Sequence, residues 1–128
     1  MTRDPKSKEY AIVTQFRSGG SLRDVIKKNH SDLTWKKVID ILWQISNGLL
    51  AIHEKNYHHR DLHSGNILND IFDDGILPLT FISDFGLCCP ADQSSIDKTI
   101  YGVLPFVAPE VLRGEEFTKQ LIFMDLGC

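Results

Sequence analysis

Apolar positions recur most regularly between Thr34 and Lys55. Trp35, Val38, Ile39, Leu42, Ile45, Leu49 and Ile52 follow one another at three- and four-residue steps, the spacing of one helix face. Thr34 stands where an N-cap hydroxyl would accept from an unpaired backbone N–H. A stripe of this kind is core material. Gly48, inside it, lowers helix propensity by ~1 kcal/mol relative to alanine, so a close neighbour is expected to pack there. A shorter helix is expected from Ser21, as N-cap, to about Lys28, with Leu22, Val25 and Ile26 on one face.

Elsewhere the apolar runs are short. Residues 10–16 (YAIVTQF) are β-branched and aromatic and predict a strand. Residues 1–9, charged and carrying Pro5, predict a loop or frayed end. Arg17-Ser18-Gly19-Gly20-Ser21 predicts a turn, because paired glycines reach backbone conformations closed to other residues. Residues 66–69 and 79–83 read as two strands of a small hairpin, with Asp73-Asp74-Gly75 as a turn between them. Residues 87–107 show no sustained period, and loops that long are uncommon unless functional or mobile. Pro109-Glu110-Val111-Leu112 predicts a short helix with proline near its first turn. Residues 121–128 are apolar apart from Asp125. Mixed helices and short strands make this an α+β chain.

Composition narrows the class. The chain has 128 residues, enough for one domain, with 42% hydrophobic and 24% charged residues, as in globular proteins. A net charge of −3 argues against nucleic acid as a partner. The charge is segregated: residues 1–37 hold nine Lys/Arg against four Asp/Glu, and residues 38–128 hold five against thirteen. One edge is thereby suited to phosphate and the other to cations or a basic partner. Cys88, Cys89 and Cys128 form neither a disulfide framework nor a paired zinc signature, and reduced thiols in an intracellular setting are expected. No signal-peptide pattern opens the chain, and no window holds the ~18 apolar residues of a membrane span. A soluble, cytoplasmic protein is expected.

Chemistry concentrates at His58-His59-Arg60-Asp61-Leu62-His63-Ser64-Gly65-Asn66-Ile67-Leu68, a density of polar groups ill suited to a core. His53, His58, His59 and His63 raise the thought of zinc, but neighbouring loop histidines are more often solvated or hydrogen-bonded. A different pattern emerges from the wider spacing. His59-Arg60-Asp61 is followed five positions on by Asn66, then by Asp84-Phe85-Gly86, then by Ala108-Pro109-Glu110. Four ordered motifs over about fifty residues resemble the catalytic core of the protein kinase family. Residues 10–16 and Gly19-Gly20-Ser21-Leu22 resemble the fifth strand, hinge and following helix of its tyrosine-kinase and tyrosine-kinase-like branches.

The resemblance implies a protein-kinase-like α+β fold over residues 1–128, with residues 9–20 as the last N-lobe strand and hinge and 21–128 as a truncated, mainly helical C-lobe. It implies transfer of the ATP γ-phosphate to a protein hydroxyl. Asp61 would accept the hydroxyl proton, Asn66 and Asp84 would hold Mg²⁺, and Phe85 and Gly86 would anchor and free the Asp84 loop. Thr14 would be the gatekeeper, Gln15 and Arg17 the hinge positions whose backbone meets adenine, and Leu68 part of the adenine floor. Arg60 would pair with a phosphate on Ser94, Ser95, Thr99 or Tyr101. Cys88, two past the DFG glycine, reads as a small apolar residue more readily than as a reactive thiol.

The chain also departs from the family pattern. The glycine-rich phosphate loop, the strand lysine and its partner glutamate have no counterpart, so most of the N-lobe is missing from the resemblance. Ile122 stands where the family has an aspartate bracing the HRD loop, with Asp125 three residues on. His63 occupies the position where serine/threonine members usually carry lysine. Gly102-Val103 and Phe106 replace the usual Gly-Thr and Tyr before the APE motif. Serine or threonine specificity is expected over tyrosine. Little activity is expected of this chain alone, and exposed apolar surface is expected on the long helix. The alternative reading is a non-catalytic, pseudokinase-like interaction module.

Overall fold

The computed structural model describes residues 1–70, 79–91, 107 and 109–113. The elements in chain order are β1 (Thr2–Arg3), β2 (Tyr10–Ala11), β3 (Gly20–Ser21), α1 (Leu22–Asn29), α2 (Trp35–Glu54), β4 (Tyr57–His58), β5 (Ile67–Asp70), β6 (Leu79–Ile82), β7 (Cys89–Pro90) and α3 (Pro109–Leu112). Short 3-10 turns cover His30–Asp32 and Phe85–Leu87. Among the described residues these strands form three antiparallel sheets, ordered β1-β2, β3-β5-β6 and β4-β7. No helix among the described residues is long and apolar enough to cross a membrane.

Both main helices begin at the residues that local chemistry selects. Ser21 is extended (φ −77°, ψ 153°) and its hydroxyl accepts from the Asp24 N–H at 3.2 Å. Thr34 does the same for Lys37 N–H at 3.4 Å, and α2 ends at Lys55, whose N–H returns to the carbonyls of Ile52 and His53. Gly20, with φ +71°, supplies the left-handed step that admits the chain into α1.

The core forms where α2 crosses the β3-β5-β6 sheet. Ile41, Ile45 and Leu49, one turn apart, pack with Leu22, Leu62 and Ile67, and Leu33, Ile52 and Ile82 seal the margins. Each such aliphatic side chain stabilises by about 1.5–3 kcal/mol on full burial. The expected close approach at Gly48 is present. A Cβ there would lie 3.0 Å from Ile82 Cδ1, so the missing side chain is what lets β6 sit against the helix. The buried row is narrower than the periodicity suggests. Trp35 (82% exposed), Ile39 and Leu42 face away from the sheet, and Ile41, outside the predicted stripe, takes the core position. Ile26 is likewise exposed, leaving Leu22 and Val25 as the buried residues of α1.

Two further expectations are corrected. Residues 1–9 are ordered as one arm and loop of a hairpin, with Thr2 opposite Ala11 and Arg3 opposite Tyr10. Asp4 N–H bonds the Glu9 carbonyl at 2.9 Å, and the Arg3 guanidinium lies 5.2 Å from the Tyr10 ring. The strand predicted over residues 10–16 stops at Ala11. A strand needs a hydrogen-bonding neighbour, and among the described residues none pairs with 12–16, so Ile12, Val13 and Phe16 remain exposed. The 66–69 and 79–83 runs do form an antiparallel pair, with Ile67 opposite Ile82 and Leu68 opposite Phe81. The Asp73-Asp74-Gly75 turn falls outside the described residues, as do Ile122 and Asp125.

Candidate active site

The loop of residues 59–66 is suspended between two strand pairs that share one stretch of chain. Asn56, with φ +60°, reverses the chain after α2. β4 then pairs with β7, Tyr57 opposite Pro90 and His58 opposite Cys89, and Ala91 N–H bonds the Asn56 carbonyl at 2.8 Å. At its other end the loop runs into β5, which pairs with β6. Both ends are therefore anchored on residues 79–91, which also carry Asp84-Phe85-Gly86.

His59 ties the two together. Its ring is fully buried, lies edge-on to Phe85 at 5.4 Å and approaches the Ser83 carbonyl at 2.9 Å through Nε2. Asp61 N–H donates to Nδ1 at 3.3 Å. Since Nδ1 accepts, Nε2 carries the hydrogen and donates to Ser83. Ser83 returns the link from the other side. Its N–H and its hydroxyl both donate to the Asn66 carbonyl at 2.8 Å.

Asp61 and Asn66 meet within this frame. Asn66 Nδ2 donates to the Asp61 carbonyl at 2.9 Å and to Asp61 Oδ2 at 3.1 Å. The Asp61 carboxylate also lies 3.8 Å from His63 Nε2, and His63 Nδ1 accepts from Gly65 N–H at 3.0 Å. With its amide nitrogen committed to Asp61, Asn66 keeps its Oδ1 as an oxygen donor. Asp84 follows Ser83 directly and is exposed. One of its oxygens, Oδ1, accepts from Gly86 N–H at 3.3 Å. Both positions offer the hard oxygens that Mg²⁺ takes, so these residues fit that ion.

Backbone strain gathers here. Arg60 (φ +68°) and Asp84 (φ +61°) adopt left-handed conformations that are unfavourable for residues bearing a Cβ, by about 1–3 kcal/mol each. For Asp84 this corrects the expectation that Gly86 supplies the loop's freedom. The unusual dihedral lies at Asp84 itself, and Gly86 contributes its N–H and the absence of a Cβ that would stand 3.2 Å from Asp84 Oδ1.

Leu68 lies on β5 opposite Ser21 and Phe81. Strand alternation places it on the sheet face away from α2, because its neighbours Ile67 and Asn69 are buried. Arg17 is fixed by its side chain, which bonds Asp70 at 2.7 Å and stacks over Phe81 at 3.5 Å. Thr14 and Gln15 are exposed in a stretch without regular structure, and no hydrogen bond among the described residues ties either to the loop. Ser94, Ser95, Thr99 and Tyr101 lie outside the described residues, and the expected pairing of Arg60 with a phosphate there lies outside them too. Cys88 is half-buried, and burial, then the neighbouring Cys89, pushes its thiol pKa up against a smaller opposing pull from Arg60. A protonated thiol is a poor nucleophile.

Sequence reasoning had not singled out Ser83, Asn69 or Asp70, nor given His59 its buttressing role. Asn69 is fully buried, accepts from the Thr80 hydroxyl at 3.1 Å and faces the Gly20 carbonyl at 3.4 Å, while Gln44 of α2 accepts from Thr80 N–H at 2.8 Å. A polar pair, Asn69-Asp70, closing an apolar strand was the available signal.

The family described as protein kinase domain matches residues 2–128. Serine/threonine-protein kinase CLA4 of Candida albicans is 31% identical over 120 residues, covering 93% of this chain and 12% of the relative. Serine/threonine-protein kinase dst3 of Dictyostelium discoideum is 30% identical over 122 residues, covering 95% of this chain and 21% of the relative. Serine/threonine-protein kinase ste20 of Aspergillus fumigatus is 33% identical over 117 residues, covering 91% of this chain and 14% of the relative. The chain thus spans between about an eighth and about a fifth of the length of these relatives.

Proposed function

This chain belongs to the protein kinase family, and from that premise we propose that it supplies the phosphoryl-transfer loop and metal ligands for moving the γ-phosphate of ATP to serine or threonine hydroxyls of a protein substrate. The observation that carries the reading is the Asp61–Asn66 pair at 3.1 Å, locked to the residue before Asp84 through two Ser83 hydrogen bonds. Asp61 presents a carboxylate that orients an acceptor hydroxyl and takes its proton. Asn66 Oδ1 and the exposed Asp84 carboxylate hold the metal. Bound Mg-ATP supplies the transferable phosphoryl group and the divalent charge that neutralises it.

Around that centre, the backbone of Gln15 and Arg17 meets adenine, Leu68 floors it and Thr14 stands behind it. Arg60 pairs with a phosphate carried on Ser94, Ser95, Thr99 or Tyr101. The relatives' names support serine/threonine specificity and lend none to the tyrosine-kinase branch suggested by residues 10–16. Unpaired Cys88 and Cys89 are consistent with a cytoplasmic location.

Thermal unfolding tests the reading. A ligand at a hundredfold excess over its Kd stabilises by about 2.7 kcal/mol, a shift of several degrees. Mg-ATP is expected to raise Tm, ATP with EDTA is expected to leave it unchanged, and Asn66→Ala or Asp84→Ala is expected to remove the response. Asp61→Asn is expected to keep the Mg-ATP response, since in this reading Asp61 faces the acceptor hydroxyl and holds no metal. A chain indifferent to Mg-ATP fits a non-catalytic interaction module instead.

A further inference from the structure

The turn after the predicted hinge is held by two neighbouring residues at the end of β5. Gly19 N–H bonds the Asn69 carbonyl at 2.8 Å, which continues the β3–β5 ladder. Beyond it, Asp70 uses both carboxylate oxygens. Oδ1 accepts from Ser18 N–H at 3.0 Å, and Oδ2 accepts from Arg17 Nη1 at 2.7 Å. The Arg17 guanidinium is also laid flat on Phe81, 3.5 Å from the ring centroid. Arg17 and Asp70 are 53 residues apart in sequence, and both side chains are largely buried (19% and 16% exposed). The guanidinium is thus committed on two sides.

The location gives this clamp its consequence. Asp70, Leu68 and Phe81 share the sheet face away from α2: Leu68 and Phe81 are cross-strand partners, and Asp70 is two residues on from Leu68. Residues 12–16, immediately before the clamp, have no regular structure and are exposed. A segment without its own ladder takes its position from whatever holds its end. Here that is Asp70.

We propose that Asp70 is a positioning residue for nucleotide: by gripping Arg17 and Ser18 it holds the backbone of residues 15–17 beside Leu68 in the arrangement that meets adenine. This rests on the nucleotide-site reading above and adds to it a residue that touches neither nucleotide nor metal. When the clamp opens, the binding-competent fraction falls and apparent affinity falls by the same fraction. A drop to about one third raises the apparent Kd about threefold. The effect is confined to the adenine end, because Ser83 holds Asn66 and Gly86 N–H holds the Asp84 carboxylate, neither through Asp70.

Isothermal titration of the full 128-residue chain with Mg-ATP and with Mg-tripolyphosphate, which lacks adenine and ribose, separates the ends of the site. Asp70→Asn and Arg17→Ala are each expected to weaken Mg-ATP about threefold or more and to leave Mg-tripolyphosphate unchanged. The double variant is expected to weaken Mg-ATP by less than the product of the two single effects, since both single variants remove the Arg17–Asp70 contact. Faster amide exchange at Ser18 and Gly19 in the nucleotide-free variants is expected alongside. Equal Mg-ATP affinity in Asp70→Asn and the unmodified chain overturns this inference alone. So does parallel loss of both ligands, which is the mark of general destabilisation. Failure of the unmodified chain to bind Mg-ATP overturns the nucleotide-site reading and this inference with it.

Discussion

Replacing His59 with phenylalanine keeps an aromatic ring against Phe85, a six-membered one in place of the five-membered imidazole, but removes both ring nitrogens. The Ser83 carbonyl then loses its donor at 2.9 Å, and the Asp61 N–H loses its acceptor at 3.3 Å. A polar group left unpaired in a buried setting costs about 1–3 kcal/mol. Both bonds are only partly buried, so the low end applies, and the sum is about 2 kcal/mol. His59→Ala adds the loss of a fully buried ring and its cavity, bringing the total to about 4 kcal/mol. For a chain of this length, about 2 kcal/mol corresponds to a fall in Tm of roughly 6–10 °C. Urea unfolding followed by circular dichroism reads the difference as a shift in midpoint at unchanged m-value. A His59→Phe variant within about 0.5 kcal/mol of the parent would refute the claim that this ring bolts the Asp61 loop to residues 83–85.

Two further outcomes follow from specific contacts. The Arg17 hydrogen bond holds the Asp70 carboxyl below its ordinary pKa of 3.8, with partial burial opposing and Ser18 N–H assisting. A carboxylate depressed on folding stabilises above its unfolded pKa, and that contribution is lost as pH falls through the folded value. NMR titration should therefore find the Asp70 midpoint below 3.8 and move it upward in Arg17→Ala, and an unmoved midpoint counts against the pair. At Gly48, alanine gains ~1 kcal/mol of helix propensity but sets its methyl against Ile82 Cδ1. Gly48→Ala is expected to be no more stable than the parent, and to become stabilising by up to ~1 kcal/mol in an Ile82→Val background. Equal gain in both backgrounds would show that the close approach exerts no strain.

What was legible along the chain depended on how local its cause is. Helix caps are set within three residues, so Ser21 and Thr34 began their helices where expected. The Ile67–Asp70 and Leu79–Ile82 pair followed from two short apolar runs. By contrast, the face of α2 that becomes core is set by what lies against it. A 3.6-residue period defines a direction to within about one residue, and the sheet selected Ile41 over Trp35 and Ile39. The strand expected across residues 10–16 shows the same dependence: β-branched residues permit extension, but a partner strand decides whether it persists.

The sequence by itself determined the chemical inventory of the site. Asp61, Asn66 and Asp84 could be singled out because their motifs and spacing, which are properties of the chain, resemble those of the protein kinase family. Only the tertiary structure decided how they are held. His59, Ser83 and the Arg17–Asp70 clamp act across 24, 17 and 53 residues of chain, and a one-dimensional pattern carries no term for such distances. Hydrogen bonds are short-ranged and directional. Which donors and acceptors find one another is therefore settled only when β4–β7 and β5–β6 have brought the two segments together.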